Sequence, residues 1–300
     1  INIALYLNGE YRSMTETPRL GPIALCTLVS AEGHALAQAD EQHMHQAVAG
    51  SGRRDTSAAA LAGSPALQGE RYWIMANRSG HSWLQIVEHS AATPHDALAR
   101  YGWLAMEVLV EDVVSLAAGL AGSPFEMLRP PADLDVSDSI RACQVRGPAG
   151  EILYLTQVRG EAPPFQLPRC AAPVDHLFIP VLSTPDRERS LAEYAAISGN
   201  EGLSFDTRIT VVNQARGFEL ERRHPVATLQ LAQNALLEID QIAQTIAPPA
   251  GIHSGVACIA FHAAVDVPTG AQRLAAGPFA GRPFTAHTGA AGEHYALIYS

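Results

Sequence analysis

The sequence predicts an α+β fold built from four similar units, each with one strand, one helix and three further strands. Both halves of the 300-residue chain contain short β-rich runs that are interrupted by single helical stretches. Three segments of the second half match segments of the first at one offset of 153 residues, which places His176 on Ile23. Self-similarity at a fixed spacing is typical of a duplicated chain. We therefore expect a tandem repeat of two units in each half.

Each predicted unit opens with an apolar, strand-like segment. The four segments are residues 22–30 (PIALCTLVS), 102–111 (GWLAMEVLVE), 174–182 (VDHLFIPVL) and 256–264 (VACIAFHAA). Helical stretches follow three of these segments. The clearest is 185–197, where Leu191, Tyr194 and Ala195 recur at helical spacing.

Three units also close in a similar way. Residues 147–155 (GPAGEILYL) and 289–297 (GAAGEHYAL) each place an Ala-Gly-Glu turn directly before an alternating strand. Residues 234–240 (NALLEID) form a third closing segment. The last strands match at an offset of 142 residues, from Gly292 to Gly150, so an insertion or deletion separates the two halves there.

A segment rich in proline separates the two halves. Periodic hydrophobicity stops in 160–173 (GEAPPFQLPRCAAP) and resumes at Val174. We therefore predict an N-terminal two-unit domain over 1–160, a linker over 161–173 and a C-terminal two-unit domain over 174–300. The role of residues 1–20, which begin with the apolar run INIALYL, stays open.

Composition limits the partners that the chain is expected to bind. Hydrophobic residues make up 47% and charged residues 17%, a balance that supports a buried core. The net charge of -10 argues against nucleic acid and anionic membranes as partners. Four cysteines lie far apart, which indicates reduced thiols, and we expect a cytoplasmic protein.

The order of the units resembles the vicinal oxygen chelate superfamily, which includes glyoxalases, extradiol dioxygenases and bleomycin resistance proteins. The most specific segments are 174–194 (VDHLFIPVLSTPDRERSLAEY), which resembles the opening strand and helix of that family, and NALLEID, which resembles its closing strand. The resemblance implies βαβββ modules that pair into cup-shaped, half-open barrels. It also implies a divalent metal, bound in the cup by residues of the opening and closing strands.

Residue by residue, the resemblance points to the second half as the site. The corresponding positions are His176, Glu238, Cys258 and Ala296 in the second half, and Ile23, Gln85, Ala105 and Tyr154 in the first. His176 and Glu238 are the candidate catalytic residues and metal ligands. The candidate ligand-pocket residues are Phe178, Cys258, Ala296, Gln85 and Tyr154. Phe178 is expected to share a strand face with His176 and to form an aromatic wall.

A metal, if bound, is expected to be Fe, Mn, Ni or Zn, and otherwise no cofactor is expected. His176 and Glu238 supply two ligands, whereas such sites normally have at least three. Cys258 is a poor third ligand because a buried thiol resists deprotonation. Glu107 is either an inward carboxylate or an exposed strand end, and Asp240 is interpreted as a residue at the end of a strand.

Two functions remain open from the sequence. The first is a glyoxalase-like lyase or isomerase, or a dioxygenase, that binds a small oxygen-bearing metabolite, aromatic or non-aromatic, beside His176 and Glu238, with metal assistance or with Glu238 as a general base. The alternative is a metal-free protein that binds or sequesters a small molecule. In a third interpretation one cup is only a platform for dimerisation, so a homodimer is a further expectation.

Overall fold

The computed structural model describes residues 17–134 and 137–300, and the statements below concern these residues. The apolar start INIALYL lies outside them. The strands are β1 (Leu20–Ser30), β2 (Ala47–Arg53), β3 (Arg71–Ala76), β4 (Ser82–Glu88), β5 (Gly102–Val110), β6 (Glu126–Leu134), β7 (Ser137–Arg146), β8 (Ile152–Val158), β9 (Val174–Ser183), β10 (Leu203–Arg208), β11 (Arg223–Gln230), β12 (Leu236–Asp240), β13 (Gly255–Ala263), β14 (Gln272–Arg273), β15 (Pro283–Thr288) and β16 (His294–Tyr299). The α-helices are α1 (Gly33–His43), α2 (Thr56–Leu61), α3 (Val113–Gly119), α4 (Arg187–Ser198) and α5 (Thr210–Arg216).

The strands form two mixed sheets of eight strands each. Sheet I has the order β14-β15-β16-β13-β1-β4-β3-β2, and sheet II has the order β10-β11-β12-β9-β5-β8-β7-β6. Each sheet combines two four-stranded modules, so the predicted α+β fold of four modules paired into two cups is confirmed. Helices α1, α3 and α4 follow the opening strands of the first three modules, whereas β13 leads through a loop to β14.

The modules pair across the two halves of the chain. In sheet I, β1 of the first module pairs antiparallel with β13 of the fourth, and in sheet II, β5 pairs antiparallel with β9. The sequence analysis instead expected each half, 1–160 and 174–300, to form a cup of its own. The segment 161–173 connects β8 to β9, which are both strands of sheet II.

The local sequence determines where helix α4 begins and ends. The Asp186 side chain accepts a hydrogen bond from the backbone N–H of Arg189, which caps the first turn, and Gly199 ends the helix with a φ of 78°. Tyr194 is fully buried and its ring lies 6.2 Å from that of Phe261, which in turn lies 6.4 Å from Trp103. These aromatic residues belong to the main core, which leaves the opposite faces of β5 and β13 for the cups.

A short helix covers each cup. Helix α2 of the first module contributes Leu61 to an apolar cluster with residues of β1, β13 and β16, and helix α5 of the third module contributes Val211 and Val212 to a cluster with residues of β5, β8 and β9. Within the described part of the chain, no helix has both the length and the apolar character needed to cross a membrane.

Candidate functional site

Three carboxyl groups face the concave side of sheet II, which we call the acidic cup. Glu238 and Asp240 alternate on β12 with Leu237 and Ile239, and the two apolar side chains belong to the main core. Because successive side chains on a strand point to opposite faces, both carboxyl groups point into the cup. Glu107 reaches the same cup from β5, since its neighbours Met106 and Val108 also lie in the main core.

The acidic cup holds its carboxyl groups away from water. Glu107 is 1% exposed, Glu238 is 4% exposed and Asp240 is fully buried. Among the described residues, one oxygen of each glutamate and both oxygens of Asp240 accept from no hydroxyl, amide or cationic group, and the Glu238 and Asp240 carboxyl groups lie close enough to share a proton. Buried polar atoms normally have a partner, so a cluster of unpartnered oxygens in one cup marks a candidate functional site.

Burial raises the pKa of each carboxyl group in the acidic cup. The pKa of Glu107 is raised to about 7, chiefly by burial and also by the nearby Glu238. Burial also raises the pKa of Glu238, and burial together with the neighbouring Glu238 carboxylate raises the pKa of Asp240 well above its usual range. A carboxyl group that titrates near neutral pH can both accept and donate a proton under physiological conditions.

Hydroxyl groups of β8 and β11 complete the polar lining. Thr156 donates a hydrogen bond of 2.7 Å to Oε1 of Glu107, and Tyr154 lies opposite Glu107 across the β5–β8 ladder. The Tyr154 hydroxyl and the Thr228 hydroxyl are buried without a partner in the described chain. Burial and the three nearby carboxyl groups raise the pKa of Tyr154 well above 10, so this phenol stays protonated and is available as a donor.

The other three predicted pocket residues, Gln85, Cys258 and Ala296, lie in sheet I. They line a second cup, which we call the Arg54 cup, where Cys258 and Ala296 pack in one apolar cluster with Leu61, Leu67 and Phe284. The Cys258 thiol donates to the backbone carbonyl of Leu61 at 3.4 Å, and burial raises its pKa to about 12. Because helix α2 fills this cup and the thiol remains protonated, Cys258 is not an available metal ligand.

A buried guanidinium fastens α2 into the Arg54 cup. Arg54 is 2% exposed and donates to the side-chain oxygen of Gln85 and to the backbone carbonyl of Ala58, whereas its Nε has no partner in the described residues. Burial lowers the pKa of Arg54 to about 10, so the side chain still carries its charge at neutral pH. Gln85 therefore serves to hold this cover closed.

His176 does not lie in either cup, which differs from its expected place beside Glu238. Glu238 lies opposite Val181 in the β9–β12 ladder, and His176 comes five residues earlier on β9. Five residues of extended strand span roughly 16 Å, so the two side chains cannot hold one metal ion. The His176 side chain is 23% exposed and contacts Asp175 and His81 at the start of β9 instead.

Strand β9 also pairs irregularly with β5 near His176. The β5–β9 register shifts between the pairs Glu107–Ile179 and Val108–Leu177, and again before Val110–Val174. Each β-bulge inserts a residue and changes which face the following side chains occupy, so strict alternation fails along the first half of β9. Phe178 lies at the first shift and packs, fully buried, with Leu109, Ile179 and Leu236, whereas His176 remains partly exposed.

The acidic cup does not fit the metal that the family resemblance implies. A metal site needs at least three His, Cys, Asp or Glu side chains whose ligand atoms lie close together. Within the described ranges, the only group of three with ligand atoms within 4.8 Å of one another is His81, Asp175 and His176. Glu107, Glu238 and Asp240 offer oxygen donors but do not converge to this degree. The donor set that such a metal needs is therefore missing from the acidic cup in the described part of the chain.

Sequence reasoning left Glu107 and Asp240 outside the predicted site and gave no role to His81 and Asp175. Glu107 and Asp240 could have been found from the offset of 153 residues, because it aligns Glu107 with Ala260 and Asp240 with Val87. A carboxylate that replaces an apolar residue at an inward position of a duplicated strand calls for a functional explanation. His81 and Asp175 come together only through the contact between two sheets, so no local signal was available for them.

The chain has the vicinal oxygen chelate fold. Four modules of this fold lie in the one chain. Glyoxalase I from Zea mays is 12% identical and superimposes with a TM-score of 0.59 over 92% of both chains. A putative dioxygenase from Bacillus subtilis is 11% identical and superimposes with a TM-score of 0.58 over 95% of this chain and 86% of its own. No protein-family model and no curated protein matches the chain by sequence.

Proposed function

We propose that the protein is an enzyme that moves a proton between adjacent carbon atoms of a small, oxygen-bearing carbonyl compound. The acidic cup would be its active site. The observation that carries the proposal is the cluster of buried carboxyl oxygens in Glu107, Glu238 and Asp240 that accept from no other type of group in the described part of the chain. Unpartnered buried acids lower stability, and such a cost is typical of sites that are built for a ligand.

In this reaction the substrate carries a hydroxyl group on the carbon next to its carbonyl group. One carboxylate removes the proton from that carbon while a second, protonated carboxyl group donates a proton to the carbonyl oxygen, which leaves an enediol. The first carboxyl group then returns its proton to the former carbonyl carbon, and the second carboxylate takes the proton of the original hydroxyl group, which becomes the new carbonyl group. Glu107 suits the role of the base because its pKa is raised to about 7. The Tyr154 hydroxyl suits a hydrogen bond to the substrate oxygen, since it is buried and has no partner in the described chain.

Substrate entry requires the cover of the acidic cup to move, because its carboxyl groups are buried. Helix α5 is part of this cover, through Val211 and Val212. Its anchors lie outside the cup, since the Asn213 side chain donates to the carbonyls of Leu220 and Arg222. Helix α5 would therefore act as a cover. Val211 and Val212 would move away from the cup, while the contacts of Asn213 would hold the helix to the rest of the protein.

Hydrogen exchange at carbon tests the proposal across several classes of candidate substrate. The protein is incubated in deuterated water with α-hydroxyaldehydes and α-hydroxyketones, and deuterium incorporation next to the carbonyl group is followed by NMR. We expect at least one compound to exchange, and we expect Glu107→Gln and Glu238→Gln to slow the exchange by about 100-fold or more. The pH profile of the wild type should rise to a plateau above pH 7, as the Glu107 carboxylate forms.

Glu151→Gln is the matched control for these variants. Glu151 is also a buried glutamate, 3% exposed, with a pKa raised to about 8 by burial, and its carboxylate accepts a hydrogen bond from the backbone of Ala149 outside both cups. This control should exchange at the wild-type rate. Equal rates in all three variants, or no exchange with any compound, would refute the proton-transfer proposal.

A metal-free binding protein is the second candidate, and the apolar lining of the acidic cup favours it. Ala105, Val181 and Val226 surround the carboxyl groups, and raised pKa values keep those groups able to donate hydrogen bonds to a neutral ligand. In this case a ligand raises the melting temperature of the wild type and of Glu238→Gln alike, while neither protein catalyses exchange.

A further inference from the structure

A cluster of two histidines and an aspartate lies outside both cups, where the two sheets meet. His81 belongs to the turn between β3 and β4 of sheet I, and Asp175 and His176 begin β9 of sheet II. Ligand atoms of all three side chains lie within 4.8 Å of one another, and the two imidazole rings are 5.2 Å apart between centroids. Two imidazoles that bind one tetrahedral zinc through nitrogens at about 2.0 Å place their centroids roughly 5 Å apart.

Hydrogen bonds prepare His176 for a metal. Its Nδ1 lies 2.9 Å from Oδ1 of Asp175, a carboxylate that is 3% exposed and can only accept. Nδ1 therefore carries the proton before a metal binds. Two ligand atoms on one ion of the zinc type lie roughly 3 Å apart, so Nδ1, once it releases this proton, and Oδ1 of Asp175 are spaced to bind the same ion. Asp175 is itself held by the backbone N–H of Ala171, which donates to Oδ2 at 2.7 Å.

The turn that carries His81 is fixed to the same aspartate. The buried Asn77 side chain donates from Nδ2 to Oδ1 of Asp175 at 2.7 Å and to the Asp175 backbone carbonyl at 3.1 Å. Its Oδ1 accepts from the backbone N–H groups of Ser79 and His81, each at 3.0 Å. One asparagine thus sets the position of the His81 backbone relative to the Asp175 carboxylate before any ligand arrives.

We propose that His81, Asp175 and His176 bind one divalent transition-metal ion of the zinc type. Two imidazole nitrogens and a carboxylate oxygen form a donor set that suits such ions and disfavours Mg²⁺ and Ca²⁺, which prefer oxygen alone. His81 is exposed and His176 is partly exposed, so water has access to the remaining coordination positions. The ion joins the β3–β4 turn of sheet I to β9 of sheet II and stabilises that contact.

This site is independent of the proposed proton-transfer reaction. His176 lies about five strand residues from Val181, which is the partner of Glu238, and this is roughly 16 Å. A metal ion at the histidine cluster therefore acts on the contact between sheets and leaves the carboxyl groups of the acidic cup unbound.

Zinc titration of tag-free protein, stripped beforehand with a chelator, tests the proposal. Calorimetry should give one equivalent of Zn²⁺, and Zn²⁺ should raise the melting temperature of the wild type. His81→Ala and His176→Ala should each lose the stoichiometric binding and the shift in melting temperature. Asn77→Ala, which removes an outer partner, should weaken Zn²⁺ binding by about tenfold or more.

Two further variants test whether Zn²⁺ binding depends on the histidine cluster alone. His34→Ala removes an exposed histidine on α1, and Glu238→Gln changes the acidic cup, so both should bind Zn²⁺ as the wild type does. His81→Ala is the decisive variant because an exposed side chain can be removed without opening the core. The proposal is wrong if the wild type binds no stoichiometric Zn²⁺, if His81→Ala still binds it, or if Glu238→Gln alone abolishes it.

Discussion

The two cups share one backbone plan but bury different ionisable groups, three carboxyl groups in one and a guanidinium in the other. The duplication aligns Gln85 with Glu238, Val87 with Asp240 and Ala260 with Glu107. Each carboxyl group of the acidic cup therefore replaces an uncharged residue of the Arg54 cup. The reverse holds for Arg54, whose counterpart in the acidic cup is the buried Thr207. After duplication the scaffold was retained, whereas the polar content of the two cups diverged.

The two cups also differ in how their covering helices, α2 and α5, are attached. In the Arg54 cup the guanidinium reaches across to Ala58 of α2, so the polar group of the cup is used to secure its own cover. In the acidic cup no described hydroxyl, amide or cationic group bonds the oxygens of Asp240, and α5 is anchored outside the cup through Asn213. One cup is closed by its polar residue, and the other retains polar residues that are available for a ligand.

The largest expected effect is on the cover of the Arg54 cup. Leu61 is 4% exposed and lies in the apolar cluster between α2 and sheet I, so Leu61→Ala should lower the free energy of unfolding by about 2–5 kcal/mol. Denaturant unfolding measures the change. Leu220→Ala is the matched control because Leu220 is 54% exposed, and it should cost less than about 0.5 kcal/mol. Similar losses for both variants would mean that α2 does not fill the cup in solution.

A smaller expected effect is a change in stability with pH, which arises from Glu107 in the acidic cup. The Glu107 carboxyl group has a pKa of about 7 in the folded protein, against about 4.3 in an unfolded chain, so the folded state holds this proton more tightly. Its contribution to stability is complete below about pH 4 and is lost as pH rises to about 7, and the loss amounts to about 4 kcal/mol.

Glu107→Gln should therefore flatten the dependence of unfolding free energy on pH between about pH 4 and 7. Glu151→Gln should act over a window that extends to about pH 8, because that carboxyl group has a pKa of about 8 in the folded protein. Chemical denaturation at closely spaced pH values distinguishes the two. A Glu107→Gln profile that runs parallel to the wild type would show that this carboxyl group titrates normally and would remove the charge contrast between the cups.

Much of this architecture could be predicted from the sequence because duplication leaves a repeated hydrophobic pattern. The opening strands and helix α4 fall within a few residues of the predicted ranges, since alternation and helical spacing are local properties. Which modules share a sheet is not local. The pairing of β1 with β13 depends on contacts between distant segments, so the sequence pattern did not reveal that each cup combines both halves.

The site could be predicted only where its strand is regular. Glu238 lies in the acidic cup because β12 alternates without interruption next to β9. His176 lies outside because the β9–β12 register sets Glu238 opposite Val181, five residues further along β9. The register of two strands that are distant in sequence has no local signature in a strand such as VDHLFIPVLS, so a residue-by-residue transfer from the family pattern fails at this point.

The smallest expected effect comes from giving Arg54 the carboxylate that its cup lacks. Gln85→Glu keeps the shape of the side chain, and its oxygen already accepts from the guanidinium. A hydrogen bond to a charged partner should raise the unfolding free energy by about 1–3 kcal/mol at neutral pH. Because Arg54 holds the pKa of the new carboxyl group down, this gain should be present above about pH 4.3 and disappear as pH falls further.

Glu238→Gln is the mirror-image substitution, since it gives the acidic cup the residue of the Arg54 cup. It removes a buried carboxyl group with an unpartnered oxygen, so it should not lower stability, whereas it should slow any proton transfer in the cup. Urea unfolding of both variants in parallel makes the comparison. A loss of stability in Gln85→Glu at neutral pH would show that the buried guanidinium gains nothing from a carboxylate. Arg54 would then be a packing element, and charge would not be what distinguishes the two cups.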